Sequence, residues 1–378
     1  MPEFVITFKD SVWRDLLSES MKARPTIDLS SILPETEGPR PKIYPKLGFA
    51  VVSVSGIESG GVVDTLRNHT TIEEVSSSIA FDTITPIGGF RRTDLLGDLI
   101  PTWHFDLTNI DKLHKNGLTG DGVTVGVMDT GVDLHTPQIQ GRISRYASFD
   151  ESGTVINSPI ADQHGHGTFV CGIIAGQGFG VAPKVSLVVA RIAPSGSTSF
   201  PKILGALEWF CTEFPLIRVI NMSAGKLEDP STSFITAVRR LEASNKMLVC
   251  AIGNEGENSS RTPGNISGVL GVGAIDINKQ VAPFSGGMNM SLGGQTYVKP
   301  DLVMPGVDIP SCIPGGDIRL GSGTSEAAPI ATGLVALMLQ ATPDLDSCTI
   351  MQRVLDSCVE LPAPPIRDGK GLPDALHC

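Results

Sequence analysis

Apolar and polar positions change rhythm along this chain near residue 100. Ahead of that point the alternations are short. Glu3–Phe8 reads as a strand, Val12–Met21 as an amphipathic helix and Leu47–Val54 as a second strand. Gly61–Arg67 reads as a short helix and Val75–Phe81 as a further strand. The order β-α-β-α-β is that of a small α+β unit. Pro25–Pro45, rich in proline and polar residues, reads as a long loop. From Trp103 the elements lengthen. Val123–Met128, Val185–Ala190, Arg218–Met222 and Met247–Ile252 are apolar, β-branched runs of the length of buried parallel strands. Lys202–Phe214, Ser233–Asn245 and Ser325–Gln340 have helical texture. This alternation predicts an α/β fold, a parallel sheet with helices on both faces. Reactive residues then belong on loops at the carboxyl ends of the strands.

Composition narrows the partners. The 378 residues carry 29 Lys+Arg against 40 Asp+Glu, a net charge of −11. That excess of acid argues against nucleic acid, since phosphate binding needs a basic face. Hydrophobic residues make up 41% and charged residues 18%, enough for a large core. No apolar run reaches the roughly 18 residues needed to span a bilayer. The seven cysteines are scattered without CxxC spacing, against both a zinc site and a disulfide framework. The opening MPEFVITFKDSVW lacks the basic and apolar regions of a secretory signal, so a cytoplasmic location is expected. Between the two textures lies Thr83–Pro101, holding Pro86, Gly88, Gly89 and the charged stretch Arg91–Asp98. It reads as a cleavable linker or as an ordinary surface loop.

Three stretches carry candidate chemistry. VTVGVMDTGVD (Val123–Asp133) is a buried strand ending at Asp129. GHGTFVCG (Gly165–Gly172) puts His166 at the start of a small-residue helix. GSGTSEAAPIATG (Gly321–Gly333) puts Ser325 at the start of an apolar one. A serine hydroxyl is a weak nucleophile at neutral pH and needs an adjacent base. Histidine suits that role, and a buried carboxylate can hold its tautomer. A serine at a helix N-terminus also offers a free backbone N–H to a developing oxyanion.

In the order Asp, His, Ser these motifs resemble those of the subtilisin-like serine proteases. VINMSAG (Val219–Gly225) is similar to the family's substrate-binding strand, and AIGNEG (Ala251–Gly256) to its oxyanion-hole segment. KPDLVMPG (Lys299–Gly306) and GKGLPDA (Gly369–Ala375) are family-like too. The resemblance covers Trp103 to Cys378. It implies a subtilisin-like peptidase domain over 102–378 and a cleavable linker over 86–101. A small α+β, ferredoxin-like propeptide domain over 1–85 would precede them and act as inhibitor and chaperone. The implied activity is peptide-bond hydrolysis by Ser325, His166 and Asp129, with Asn254 and the Ser325 backbone N–H as oxyanion donors. Ser223, Ala224 and Gly225 would pair with the substrate backbone. Ala251, Ile252 and Gly253 would line the first specificity pocket, and Phe200 would border a more distant apolar subsite. The partners are a polypeptide substrate and the chain's own propeptide, with no nucleic acid, no membrane and no cofactor; a monomer is expected. The alternative is a protease-like module kept inactive, with the N-terminal domain retained.

Departures from the family pattern matter as well. Where the family often has a calcium-ligating Asp after the DTG turn, this chain has Gln138, and the loop after the catalytic helix is short. No calcium is expected there, since hard cations want several oxygen ligands. Glu326 replaces the methionine that often follows the nucleophile. It is either a carboxylate beside the leaving group or a partly solvated side chain. Arg261 either sits at the base of the specificity pocket, favouring acidic residues before the scissile bond, or faces solvent. In the first case Asp94 or Asp98 would be self-cleavage sites. His164 fits the motif less well than His166 and reads as a rim residue. Cys171 reads as a packing residue rather than a nucleophile.

Overall fold

The computed structural model describes residues 3–20, 41–53, 59–92, 100, 102–227, 229–292 and 294–378. Most of the expected loop Pro25–Pro45, together with Asp94 and Asp98, lies outside these residues.

The N-terminal region forms a four-stranded antiparallel sheet. Its order is Lys42–Tyr44, Phe49–Ser53, Glu3–Phe8, Ile72–Ser77. The sequence FVITF is apolar at all positions but Thr7 because both faces are covered, and the buried Thr7 hydroxyl is bonded to Ser233 Oγ at 2.8 Å. Ile6 and Phe8 join Leu16 and Leu66 of the helices Asp10–Ser20 and Ser59–Arg67 in a small core. Val5, Val51, Phe49 and Tyr44 face the other way, into the core of the larger region. Two expectations are corrected here. Lys42–Tyr44 is a strand within the expected loop. The single strand Val75–Phe81 is two, Ile72–Ser77 and Ala80–Thr83, and the second leaves this sheet altogether.

The larger region is built on an eight-stranded sheet. Its order is Leu302–Pro305, Leu270–Ile275, Met247–Ala251, Val219–Met222, Thr124–Asp129, Ser186–Arg191, Ile143–Phe149, Val155–Ile156. The first seven strands are mutually parallel, and the last turns back antiparallel. Helices His166–Ala175 and Thr324–Ala341 pack in the core on one face; Phe200–Glu213 and Thr232–Ala243 pack on the other. Every residue of His166–Ala175 and nearly all of Thr324–Ala341 are buried. That is why neither sequence shows a polar stripe.

Charged side chains fasten the two regions together. Arg240 is buried and donates to the carbonyls of Leu47 (2.7 Å), Gly48 (3.0 Å) and Phe8 (2.6 Å), with its guanidinium over the Trp13 ring. Glu208 accepts the backbone N–H groups of Lys46 (2.9 Å) and Leu47 (3.0 Å). Burial raises its carboxyl from the ordinary 4.5 to about 7, against the pull of those two donors. A group whose pKa is raised on docking takes up a proton there. Its favourable contribution is full below about 4.5 and is lost as pH rises through about 7. Amide exchange at Tyr44–Val51, corrected for intrinsic rate, should therefore quicken between about pH 4.5 and about pH 7 and level off above, and Glu208→Gln should flatten the change. Equal pH dependence in the two proteins would contradict this.

Candidate active site

The three candidate residues meet at the carboxyl edge of the large sheet. Asp129 ends its strand, His166 opens one core helix, and Ser325 is the second residue of the other. His166 Nδ1 lies 2.8 Å from Asp129 Oδ1, and both side chains are buried. The carboxylate also accepts the Thr130 N–H at 2.7 Å. An acceptor at Nδ1 keeps a proton there and leaves Nε2 as the free base. Burial alone would lower the imidazole pKa. The Asp129 carboxylate, then Glu326 and Asp162, outweigh it, and the net shift is upward.

Asp162 was not apparent in the sequence reading. Its Oδ1 accepts Thr130 Oγ1 (2.9 Å) and the Gly165 N–H (2.8 Å). Its Oδ2 accepts the N–H and the hydroxyl of Thr168 (2.8 and 2.7 Å). One buried carboxylate thus ties the Asp129 turn to the first turn of the His166 helix, whose leading N–H groups lack intrahelical partners. The available signal was an acid four residues before His166. Gly167 completes the joint: a Cβ there would collide with the Gly131 carbonyl, so only glycine lets the two segments meet.

Asn254 is oriented by its neighbours. Its Oδ1 accepts the N–H (2.8 Å) and hydroxyl (2.9 Å) of Thr324, which turns Nδ2 toward the cleft. Thr324 is a second residue that the sequence reading passed over. Ser223 Oγ donates to the Ser325 carbonyl at 3.2 Å and accepts from Asn221 Nδ2 at 3.3 Å. Ser325 Oγ itself donates to Glu326 Oε2 at 2.9 Å.

The cleft is occupied by the chain's own segment 80–92. Ala80–Thr83 lies antiparallel between Ser197–Ser199 and Ala224–Gly225 as the middle strand of three. The Thr83 N–H donates to the Gly196 carbonyl (2.7 Å) and the Ile84 N–H to the Ser223 carbonyl (2.9 Å). Asn254 Nδ2 then donates to the Thr85 carbonyl at 3.1 Å. Beyond Pro86 the Ile87 N–H donates to the Ser322 carbonyl (2.7 Å), and Phe90 stacks on Phe169. Arg91–Arg92 pairs with Arg319 and Leu320, with Arg91 bridged to Asp308. Residues 83–92 of the expected linker are therefore an ordered strap through the site.

Ala251, Ile252 and Gly253 are buried beside the strap-binding residues Ser223, Ala224 and Gly225. Arg261 packs against Gly225 and Gly253, where added Cβ atoms would lie 2.8 and 3.1 Å from its side chain. It is not the solvent-facing loop residue of one reading. Nor is its charge open to an acidic substrate residue: Nε and Nη2 donate to Glu255 Oε1 (3.0 and 2.7 Å) and Nη1 to the Gly225 carbonyl (2.7 Å). Phe200 lies beside the strap. It is fully buried, stacked on Phe234 and covered by Phe81 of the segment that fills the cleft. Glu326 is fully buried, which removes its solvated reading. His164 lies half-buried beside His166, and Cys171 is buried, its thiol pushed up by desolvation. Gln138 Nε2 donates to the Gly316 carbonyl at 2.8 Å.

Known proteins resemble this chain over much of its length. The model of the subtilase family matches residues 120–371. Subtilisin-like protease PopC of Myxococcus xanthus is 32% identical over 298 residues, 71% of this chain and 62% of its own length. An intracellular serine protease of Paenibacillus polymyxa is 32% identical over 273 residues, covering 68% and 80%. Subtilisin NAT of Bacillus subtilis subsp. natto is 34% identical over 270 residues, covering 69% and 66%. The match thus spans somewhat less than two thirds of PopC and of subtilisin NAT. With that family model covering most of the larger region, this chain belongs to the subtilase family.

Proposed function

We propose that the chain is a serine endopeptidase held latent by its own N-terminal region. The observation that carries this reading is the Thr85 carbonyl on the Asn254 amide, directly beside the Asp129–His166–Ser325 array. A peptide lying in the same place would have its carbonyl carbon attacked by Ser325 Oγ. His166 Nε2 would take the hydroxyl proton and return it to the leaving amine, while Asp129 stabilises the imidazolium. Asn254 Nδ2 and the Ser325 backbone N–H would hold the oxyanion. Water would then cleave the acyl ester by the same route in reverse.

Residues 1–85 act in this reading as a propeptide-like domain, 86–101 as the linker and 102–378 as the peptidase domain. The strap's antiparallel pairing is the form an added substrate strand takes. Latency then follows from occupancy, and removal of the segment is the switch. Arg91 and Arg92 are exposed and offer trypsin an entry. Trace trypsin should nick the connector and release casein hydrolysis and fluorophosphonate labelling in the wild type, and neither in Ser325→Ala. Nicked wild type that neither hydrolyses nor labels would refute the reading.

A further inference from the structure

The nucleophile's hydrogen bond goes to an unexpected partner. Ser325 Oγ donates to Glu326 Oε2 at 2.9 Å, whereas His166 Nε2 and Glu326 Oε1 are buried and bond nothing among the described residues. Both side chains are completely inaccessible. The Glu326 carboxyl is also held in a fitted slot. A Cβ on Gly323 would lie 2.6 Å from Oε2, and one on Gly321 would lie 2.9 Å from Oε1 and equally close to the Phe169 ring. The two glycines make room for this carboxyl, and the ring closes the slot behind it.

We infer that Glu326 is a second acceptor for the Ser325 hydroxyl proton: as a carboxylate it holds the hydroxyl away from His166, and as an acid it releases it. This rests on the catalytic reading above. The titratable groups facing Glu326 are His166 from one core helix and Asp129 from the central strand, with Asp162 acting on His166; Ser325 is the neighbour on Glu326's own helix. Burial raises the Glu326 carboxyl from 4.5 to about 7, with the nearby imidazole opposing the rise. His166 is shifted upward, so the two groups titrate as a coupled pair.

The proton count then dictates a bell-shaped profile. With one proton on the pair, neutral His166 with protonated Glu326 is competent; the imidazolium–carboxylate arrangement of equal charge is not. A second proton leaves no free base. Removing the last proton restores a neutral imidazole but leaves a carboxylate that keeps the hydroxyl. The alkaline limb of activity therefore belongs to Glu326, and the acid limb to His166 held up by its neighbours.

Two variants test this. In the full-length protein the proton between His166 Nδ1 and Asp129 gives a low-field NMR resonance that follows imidazole titration. Its midpoint should fall in both Glu326→Gln and Glu326→Met, because a neighbouring negative charge is gone. After the trypsin treatment above, both variants should lose the alkaline limb with KM unchanged. The kcat of Glu326→Met at about pH 9 should exceed the wild-type value at least about tenfold, as a limb set by one ionisation falls tenfold per pH unit. Should the methionine variant fail to fold, the isosteric glutamine variant carries both measurements. A midpoint unmoved in Glu326→Gln, or a variant profile superimposable on the wild-type one, would overturn the assignment. Failure of the catalytic reading looks different, since treated wild type would then be inactive at every pH.

Discussion

Replacing Pro86 with alanine is expected to turn a stable full-length chain into one that cuts itself after Thr85. The amide whose carbonyl rests on Asn254 is Thr85–Pro86. Its nitrogen is tertiary, and a ring carbon occupies the place of the amide hydrogen. In acyl transfer the leaving nitrogen must accept a proton from His166 as the C–N bond breaks. The ring crowds that approach and resists the rehybridisation that accompanies it. General acid catalysis contributes about 10²–10⁴-fold, so blocking it leaves the strap as a long-lived occupant. Pro86→Ala supplies an ordinary secondary amide in the same bonding frame. The Ile84 and Ile87 N–H groups keep their bonds to Ser223 and Ser322. Cleavage should then run about 10²-fold faster or more, giving a new N-terminus at residue 86. Intact-mass measurement over time reads it directly. The double variant Pro86→Ala/Ser325→Ala should stay whole. An uncut Pro86→Ala protein, or a wild type that cuts at the same bond as fast, would show that proline is not the guard.

Asn254→Ala should abolish most turnover while keeping the fold. Removing one such donor in subtilisin costs about 10²–10³ in kcat, and a loss of that size is expected here after trypsin treatment. The change also strips Oδ1 from the Thr324 N–H and hydroxyl. Leaving those donors short of a partner costs about 1–3 kcal/mol, a modest part of the stability of a core this large. Thermal melting should show a small fall and steady-state kinetics a large one, with KM little changed. Near-full kcat would remove Asn254 from the oxyanion site.

Much of this site was legible before any coordinates. Asp129, His166 and Ser325 sit in short motifs whose small residues announce close packing. Their elements follow from local period: β-branched runs for the strands, unbroken apolar stretches for the buried helices. Asn254 was legible only through the resemblance of AIGNEG to the family's oxyanion-hole segment. Asp162 and Thr324 were not, because each acts by orienting another residue, and a hydrogen-bond acceptor four residues from a histidine has no distinctive spacing. Arg261 was half legible. A place near the pocket was one of its two readings, but its neutralisation by Glu255 depends on how the turn between them folds.

By itself the sequence determined the α/β alternation and the small N-terminal unit, which rest on local periodicity, and it singled out Asp129, His166 and Ser325 through motifs that resemble those of one family. Tertiary structure alone decided what those residues face. Glu208 finds the Leu47 N–H, Arg240 the Phe8 carbonyl and Asn254 the Thr85 carbonyl, each across 160 or more residues of chain. It also buried Glu326 against the nucleophile and threaded the connector through the cleft. Such pairings follow from which surfaces exclude water together, and periodicity along one chain reports only which face of each element is apolar, not what will cover it.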